Sequence, residues 1–303
     1  MSVKHIAVLM GGWSAERDVS LVSGAQCSAA LSRLGFRVTD IDVGRDLPVV
    51  LANLKPDICF NALHGLGGED GEIQGLLEVL RIPYTHSGVT ASALAMDKRL
   101  TKKLLAHEGL PVAGDVDLPN TGLSAHPFNV AYVVKPIRQG SSVGIELVED
   151  PSKPLPRSLT GDGWAFNQAM MAEVFIPGRE LTCAVMGDQV FDVLEITTDH
   201  QFYDYAAKYD AGGSQHEVPA QITNSLKSQA QSFALRAHNA LGCRGVTRTD
   251  FRFDEHNSGL VVLEINTQPG MTPLSLVPEM AQASGMGFDD LVNWLVEDAS
   301  CQR

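Results

Sequence analysis

The chain has 303 residues, 44% hydrophobic and 19% charged, with a formal net charge of −13, which fits a globular enzyme of two or three domains with a real core. The acidic balance argues against nucleic acid as the main partner, since a phosphate backbone asks for a basic face, but leaves room for nucleotides, which need only a few local Lys or Arg. Cys27, Cys59, Cys183, Cys243 and Cys301 lack C-x-x-C spacing, the opening MSVKHIAVLM is too short for a signal segment, and no stretch could span a membrane, so buried thiols in the cytoplasm are expected.

His5 to Met10 reads as a buried strand, Gly11 to Ser14 as the turn leaving it, and residues 15–34 as a helix stopped by Gly35. Residues 37–43 and 57–62 read as further strands, a β-α-β start with parallel strands. A dinucleotide fold would use Asp42 as its ribose acid, but GGWSAE is not G-x-G-x-x-G. Glu16 stands at the carboxyl end of the first strand, where open α/β sheets bind ligands; the plain alternative is a partner for the helix dipole. His64 lies in ALHGLGGEDG, just past the third strand. A lone His there is more often structural, but the clustered glycines with Glu69 and Asp70 point to a site where backbone approaches a ligand. Residues 72–80 form a short helix. Thr90 is expected to cap a single helix to about Glu108, which carries Lys98, ordinarily a solvated side chain.

Asn129 to Pro136 reads as a strand that ends in Lys135 and runs into RQGSSVG. Gly140, Ser141, Ser142 and Gly144 make a donor-rich loop between two strands, of a kind that closes on phosphate, although no G-x-x-x-x-G-K-[ST] occurs. A connector at 151–162, a short helix to about Met171, and the strand and turn of AEVFIPGREL follow. Glu173 and Glu180 flank Pro177-Gly178 there, and on residue type alone they are surface carboxylates. Strands at 181–186 and 190–196 lead to QFYDYAAKY, residues 201–209. Its tyrosines and Lys208 read as a lid over a site or as a surface loop packed by its own rings. Residues 224–241 form an amphipathic helix with Leu226, Ala230, Phe233, Ala237 and Leu241 in register.

The segment GVTRTDFRFDEHNSGLVVLEINTQPGMT, residues 245–272, reads as a hairpin. A turn centred on Asn257 sets Asp250 opposite Glu264. Arg248, Asp250, Arg252, Glu264 and Asn266 then share one face, joined near the turn by Leu260 and Val262, while Phe251, Phe253, Val261, Leu263 and Ile265 face the core. Opposed carboxylates with Cβ atoms roughly 4.5–5.5 Å apart repel unless neutralised. With an Asn266 oxygen beside them they suit a hard cation such as Mg²⁺. A solvated hairpin whose arginines pair the carboxylates is the alternative. The Asn-Thr-Gln-Pro-Gly ending argues against it, because a turn there presents N–H groups to a ligand. A last helix over 289–298 closes the fold.

With SAER, ALHGLGGEDG, IRQGSSVG, FYDYAAKY and LEINTQPGMT in that order, the chain resembles the D-alanine–D-alanine ligases of the ATP-grasp superfamily over nearly its whole length. The resemblance implies an α/β (α+β overall) fold: an N-terminal Rossmann-like domain, 1–95, with the first D-alanine site, then two ATP-grasp lobes, 96–180 and 181–303. It implies ligation of two D-alanines through an acyl phosphate for peptidoglycan precursors. ATP and D-alanine are the substrates, Mg²⁺ or Mn²⁺ is the cofactor, and a homodimer through the first domain is expected, with no nucleic acid or membrane partner.

Residue by residue, the resemblance gives Glu16 the ammonium of the first D-alanine and places His64 near its carboxylate. Ser275 and Leu276 take the carboxylate of the second. Lys98, Lys135, Ser141, Ser142 and Lys208 belong to the ATP phosphates, Glu173 and the backbone near Val174 and Phe175 to adenine, and Glu180 to the ribose. Tyr209 reaches towards Ser141 and goes with an amine acceptor. Asp250, Glu264 and Asn266 hold two metal ions, and Arg248 stabilises the phosphoryl group and then, with the Gly270 N–H, the oxyanion. The chain departs from the common pattern at Leu66, Gln139, Val174 and Ala206. Three other readings stand beside this one: an ATP-grasp ligase with another acceptor, a nucleotide-dependent oxidoreductase, and a non-catalytic nucleotide-binding module.

Overall fold

In the computed structural model, which describes residues 3–140, 144–164, 166, 168–198 and 213–302, three sheets follow one another along the chain. The first holds β1 (His5–Met10), β2 (Arg37–Asp42) and β3 (Ile58–Asn61), all parallel in the order β2-β1-β3. β1 is buried along its whole length, which is why it reads as an unbroken apolar run rather than an alternating one. The helix Arg17–Arg33 follows it. A helix absent from the sequence reading, Leu47–Leu54, joins β2 to β3; eight residues are too few for a helical period to stand out.

The second sheet is antiparallel and contains β4 (Asp115–Asp117), β5 (Tyr132–Pro136), β6 (Glu146–Val148) and β7 (Met170–Val174), ordered β4-β7-β5-β6. The third contains β8 (Arg179–Met186), β9 (Gln189–Val190), β10 (Leu194–Thr197), β11 (Gln215–Glu217), β12 (Val246–Asp254) and β13 (Gly259–Asn266). Its order is β11-β10-β8-β12-β13, with β9 added on β8. Along β8, Leu181, Cys183 and Val185 enter one core with Leu226, Ala230, Ala234 and Ala237 of the helix Asn224–Ala240. Ala184 and Met186 enter another, shared with Ile6 and Val8 of the first sheet and with Met280, Leu291 and Leu295. These last come from the helices Leu276–Ala283 and Phe288–Asp298, so the end of the chain packs back onto its beginning. Between β7 and β8, Gly178 has a φ of +100° and passes so close under β12 that a Cβ would lie 2.1 Å from the Phe253 carbonyl oxygen. Only glycine fits there. No helix among the described residues is long and apolar enough to cross a membrane.

Three expectations are corrected. The single helix over 90–108 is two, Val89–Met96 and Lys98–His107, with Gly88 rather than Thr90 at the start. Asp97 breaks it: its backbone is extended, and its carboxylate caps the second helix by accepting the Arg99 and Leu100 N–H groups. The helix expected to end near Met171 is replaced by β7, preceded by 3₁₀ turns at Arg157–Leu159 and Gly161–Gly163. In the hairpin, Asp250 does face Glu264, but the register then slips, so that Phe251 faces Val262, Arg252 faces Val261 and Phe253 faces Leu260. One extra residue in β13 forms a bulge and reverses the faces beyond it. Leu260 and Val262 are core residues, in one cluster with Phe251 and Ile265. Leu263 lines a cavity on the opposite face.

Candidate active site

The hairpin supplies the most concentrated charge. Arg248 donates to both oxygens of Asp250, from Nε at 2.8 Å and from Nη2 at 2.7 Å. Asp250 also accepts from Thr182 Oγ1 at 2.7 Å and from Asn266 Nδ2 at 3.1 Å. Glu264 lies across from it, with Lys98 Nζ at 3.6 Å from its Oε2. Two carboxylates and a carboxamide form a hard donor set of the kind that divalent cations with oxygen preference take. The carboxamide turns its Nδ2 to Asp250 here, and a half-turn of the amide would bring its oxygen to a cation instead. The residues therefore fit Mg²⁺ or Mn²⁺.

Between the second and third sheets lies a cavity with an empty volume of about 570 Å³, lined by Lys135 of β5, Glu173 and Val174 of β7, Glu180 of β8, Arg252 of β12 and Leu263 of β13, among others. Its walls are mostly apolar, with charged groups at definite points, as a slot for a flat heterocycle requires. Lys135 donates to Glu173 Oε1 at 2.7 Å, and Lys102 to Glu173 Oε2. Burial raises the pKa of Glu173, but the two lysines outweigh it and hold the carboxyl below the usual range. Glu180 pairs with Arg252 at 3.2 Å.

A second cavity, about 350 Å³ of empty volume, is lined by Glu69, Met96, Lys98, Gly140, Glu264, Asn266 and neighbours. The break at Asp97 places Lys98 in its wall, where the ammonium donates to the Gln139 carbonyl at 2.8 Å. Burial, with Glu264 opposing and Lys135 assisting, lowers the Lys98 pKa. Glu16 occupies the cap position of the first helix, where it makes no side-chain cap hydrogen bond. Its carboxylate instead lies close enough to the glycine loop that a Cβ on Gly140 would sit 3.0 Å from its Oε1. Glu69 is held by the Gly65 N–H at 2.8 Å. Burial first, and then Glu16, push its pKa up to about 8.

His64 is 6% exposed. Its Nε2 lies 3.1 Å from Ser23 Oγ, its ring also bonds the Gln268 backbone, and Ser23 Oγ accepts the Met271 N–H at 3.2 Å. The ring therefore pins the turn around Gly270 to the first sheet. Gln268 assists, accepting from Asn61 at 2.7 Å and donating to the Leu63 carbonyl. On that turn Ser275 Oγ accepts the Thr272 N–H at 2.9 Å, and a Cβ on Gly270 would lie 2.7 Å from it. The Leu276 side chain is buried in the core, so any ligand contact of this residue would be through its backbone N–H, in the first turn of a helix.

Burial, opposed by the Gln268 backbone and assisted by Arg248, pulls the His64 pKa down to about 4 from 6.5. The sign follows: the unfolded chain binds the proton first as pH falls. Stabilisation by the neutral ring is thus complete above about pH 6.5 and lost as pH falls towards 4, on the order of 3 kcal/mol in all. His64→Gln is expected to flatten the urea-unfolding free energy across that window relative to the native chain. Equal slopes in the two proteins contradict a buried neutral ring.

Ser141, Ser142, Ala206, Lys208 and Tyr209 lie outside the described residues. The sequence reading missed Lys102, Thr182, Ser23 and Gln268 and gave Glu69 no role. Lys102 left a trace, standing four residues after Lys98 and so on the same helix face. Thr182 left none, since it meets Asp250 only through the pairing of β8 with β12.

The family profile described as D-ala D-ala ligase C-terminus matches residues 124–297, and its N-terminus counterpart matches residues 50–87. A curated D-alanine–D-alanine ligase of Xanthobacter autotrophicus is 56% identical, over 99% of both chains. The crystal structure of D-alanine–D-alanine ligase from Bacillus anthracis superposes with a TM-score of 0.84 at 31% identity, covering 98% of this chain and 97% of that one. A structure of that ligase complexed with ATP gives a TM-score of 0.82 at 28% identity over the same shares.

Proposed function

The chain belongs to the D-alanine–D-alanine ligase family, and we infer that it joins two D-alanines into D-alanyl-D-alanine, using ATP and Mg²⁺, for peptidoglycan precursors. The observation that carries this is the meeting of Asp250, Glu264 and Asn266 with Lys98 and Arg248: a hard-cation donor set beside cationic groups fitted to a moving phosphoryl group. Asp250, Glu264 and Asn266 would hold Mg²⁺ (or Mn²⁺), which when bound would supply positive charge against the phosphates. The slot between the sheets takes the nucleotide, with adenine against Glu173 and the Val174 backbone, the ribose at Glu180, and the phosphates at Lys135 and Lys98. Ser141, Ser142, Lys208 and Tyr209 enter this set on family likeness alone.

Glu16 holds the ammonium of the first D-alanine, while His64 shapes the pocket for its carboxylate. A carboxylate oxygen attacks the γ-phosphorus, ADP leaves, and an acyl phosphate results. The second D-alanine, its carboxylate at Ser275 Oγ and the Leu276 N–H, attacks the acyl carbon with its free amine. The oxyanion is held by Arg248 and the Gly270 N–H, and phosphate departs as the amide forms. The acceptor is therefore an amine. All five cysteines are free, four of them buried, which supports a cytoplasmic enzyme. We assign a homodimer through the first domain on family likeness. Domain divisions at 95 and 180 are supported by the Asp97 break and the Gly178 turn.

Phosphate release from MgATP with D-alanine, with L-alanine, and with neither tests the reading. Release with D-alanine only, together with a dipeptide by mass, is expected. Release with neither amino acid, or none with D-alanine, moves the substrate elsewhere.

A further inference from the structure

The geometry points to Lys102 as a positioning residue that sets the nucleobase selectivity of the slot. By fixing Glu173 as an anion, it makes the slot accept a purine with an exocyclic amino group and reject one with a carbonyl in its place. This rests on the reading above that the slot between the sheets takes the base of ATP.

Asp115 on β4 and Glu173 on β7 are register partners, so two carboxylates face each other across adjacent strands, an arrangement that repels unless a cation stands between them. Lys102 is that cation. Its ammonium lies 3.1 Å from Asp115 Oδ1 and pairs with Glu173 Oε2, and both side chains of the Glu173 pair are 3% exposed. Lys102 does not line the cavity, whereas Glu173 and Lys135 do. It therefore acts on the ligand only through Glu173. Lys135 alone could not serve both ends, since it holds Glu173 Oε1 at 2.7 Å and is also the cationic group that meets the nucleotide. With Lys102 in place, Lys135 can turn to the nucleotide while Glu173 remains ionised.

An ionised carboxylate only accepts hydrogen bonds, so it matches an amino group and repels a carbonyl oxygen. Without Lys102, the buried Glu173 beside Asp115 takes up a proton and becomes a donor as well. That erases the distinction, because a protonated carboxyl can donate to a base carbonyl.

The test uses the full chain with D-alanine and Mg²⁺ at neutral pH, comparing ATP with inosine triphosphate, which carries a carbonyl where ATP carries the amino group. Lys102→Met keeps the apolar stem and removes the charge. It is expected to raise the KM for ATP by about 10-fold with little change in kcat, and to narrow the ATP preference in kcat/KM by about 10-fold or more, the scale of one charged hydrogen bond. Lys102→Gln, which keeps a donor but no charge, should narrow it likewise; Lys102→Arg should preserve it. An unchanged preference in the Met or Gln variant overturns the inference, as does a narrowed one in the Arg variant or a native enzyme that does not discriminate. A purely packing role would lower the melting temperature and leave the ratio alone. Native protein that turns over neither nucleotide with D-alanine removes the underlying reading instead, so the two failures are distinct.

Discussion

Arg248→Ala is expected to lower kcat by on the order of 10²–10³, with a much smaller change in the KM for ATP. The guanidinium is largely buried and lies flat against both oxygens of Asp250, which aims its remaining donors away from Asp250. In the reading given above, they meet first the transferring phosphoryl group and then the oxyanion of the tetrahedral carbon, charge that develops only during reaction. An interaction made only then appears in kcat rather than in KM. The variant should still fold, because Asp250 keeps Thr182 and Asn266 as donors. Arg248→Lys should be impaired as well, since one ammonium cannot reproduce a planar two-point contact. Steady-state phosphate release at saturating D-alanine measures both variants, and near-native turnover in Arg248→Ala contradicts the role.

Asp250→Asn is expected to raise the Mg²⁺ concentration needed for half-maximal turnover and to lower kcat by more than about 10². Outer-shell partners of metal ligands already cost about 10- to 100-fold, and a direct ligand should cost at least that. The substitution keeps the shape and removes one of the two carboxylates that face each other across β12 and β13. It also removes the anion that orients Arg248, so the two variants should be far from additive. Titrating Mg²⁺ into the variant measures the effect, and a native Mg²⁺ dependence contradicts Asp250 as a ligand.

Much of the site could be read from sequence because strand alternation is a local rule. Arg248, Asp250, Glu264 and Asn266 fall on one face by counting twos, and they meet as counted. The count failed at the next residue towards the turn, Leu263, because a bulge is decided by how β13 fits its neighbours and leaves no mark in the apolar pattern. Lys98 was found, but on a helix drawn straight through Asp97. The residue that breaks it is a strong capping type inside an otherwise helical run, a signal that was present and not used. Glu173 and Glu180 were located, whereas the ion pairs that bury Glu173 were not, since Lys102 comes from 71 residues away. His64 could be read as either structural or functional. The structure shows the structural part, one buried ring that ties the Gly270 turn to the first sheet; the functional part belongs to the reading proposed above.

The most direct test of the account follows an oxygen atom. With D-alanine labelled with ¹⁸O in both carboxylate oxygens, MgATP and the native enzyme, an acyl phosphate requires the bridging carboxylate oxygen to leave with phosphorus. Each phosphate released alongside D-alanyl-D-alanine should then carry one ¹⁸O. Dipeptide formed together with unlabelled phosphate contradicts the account.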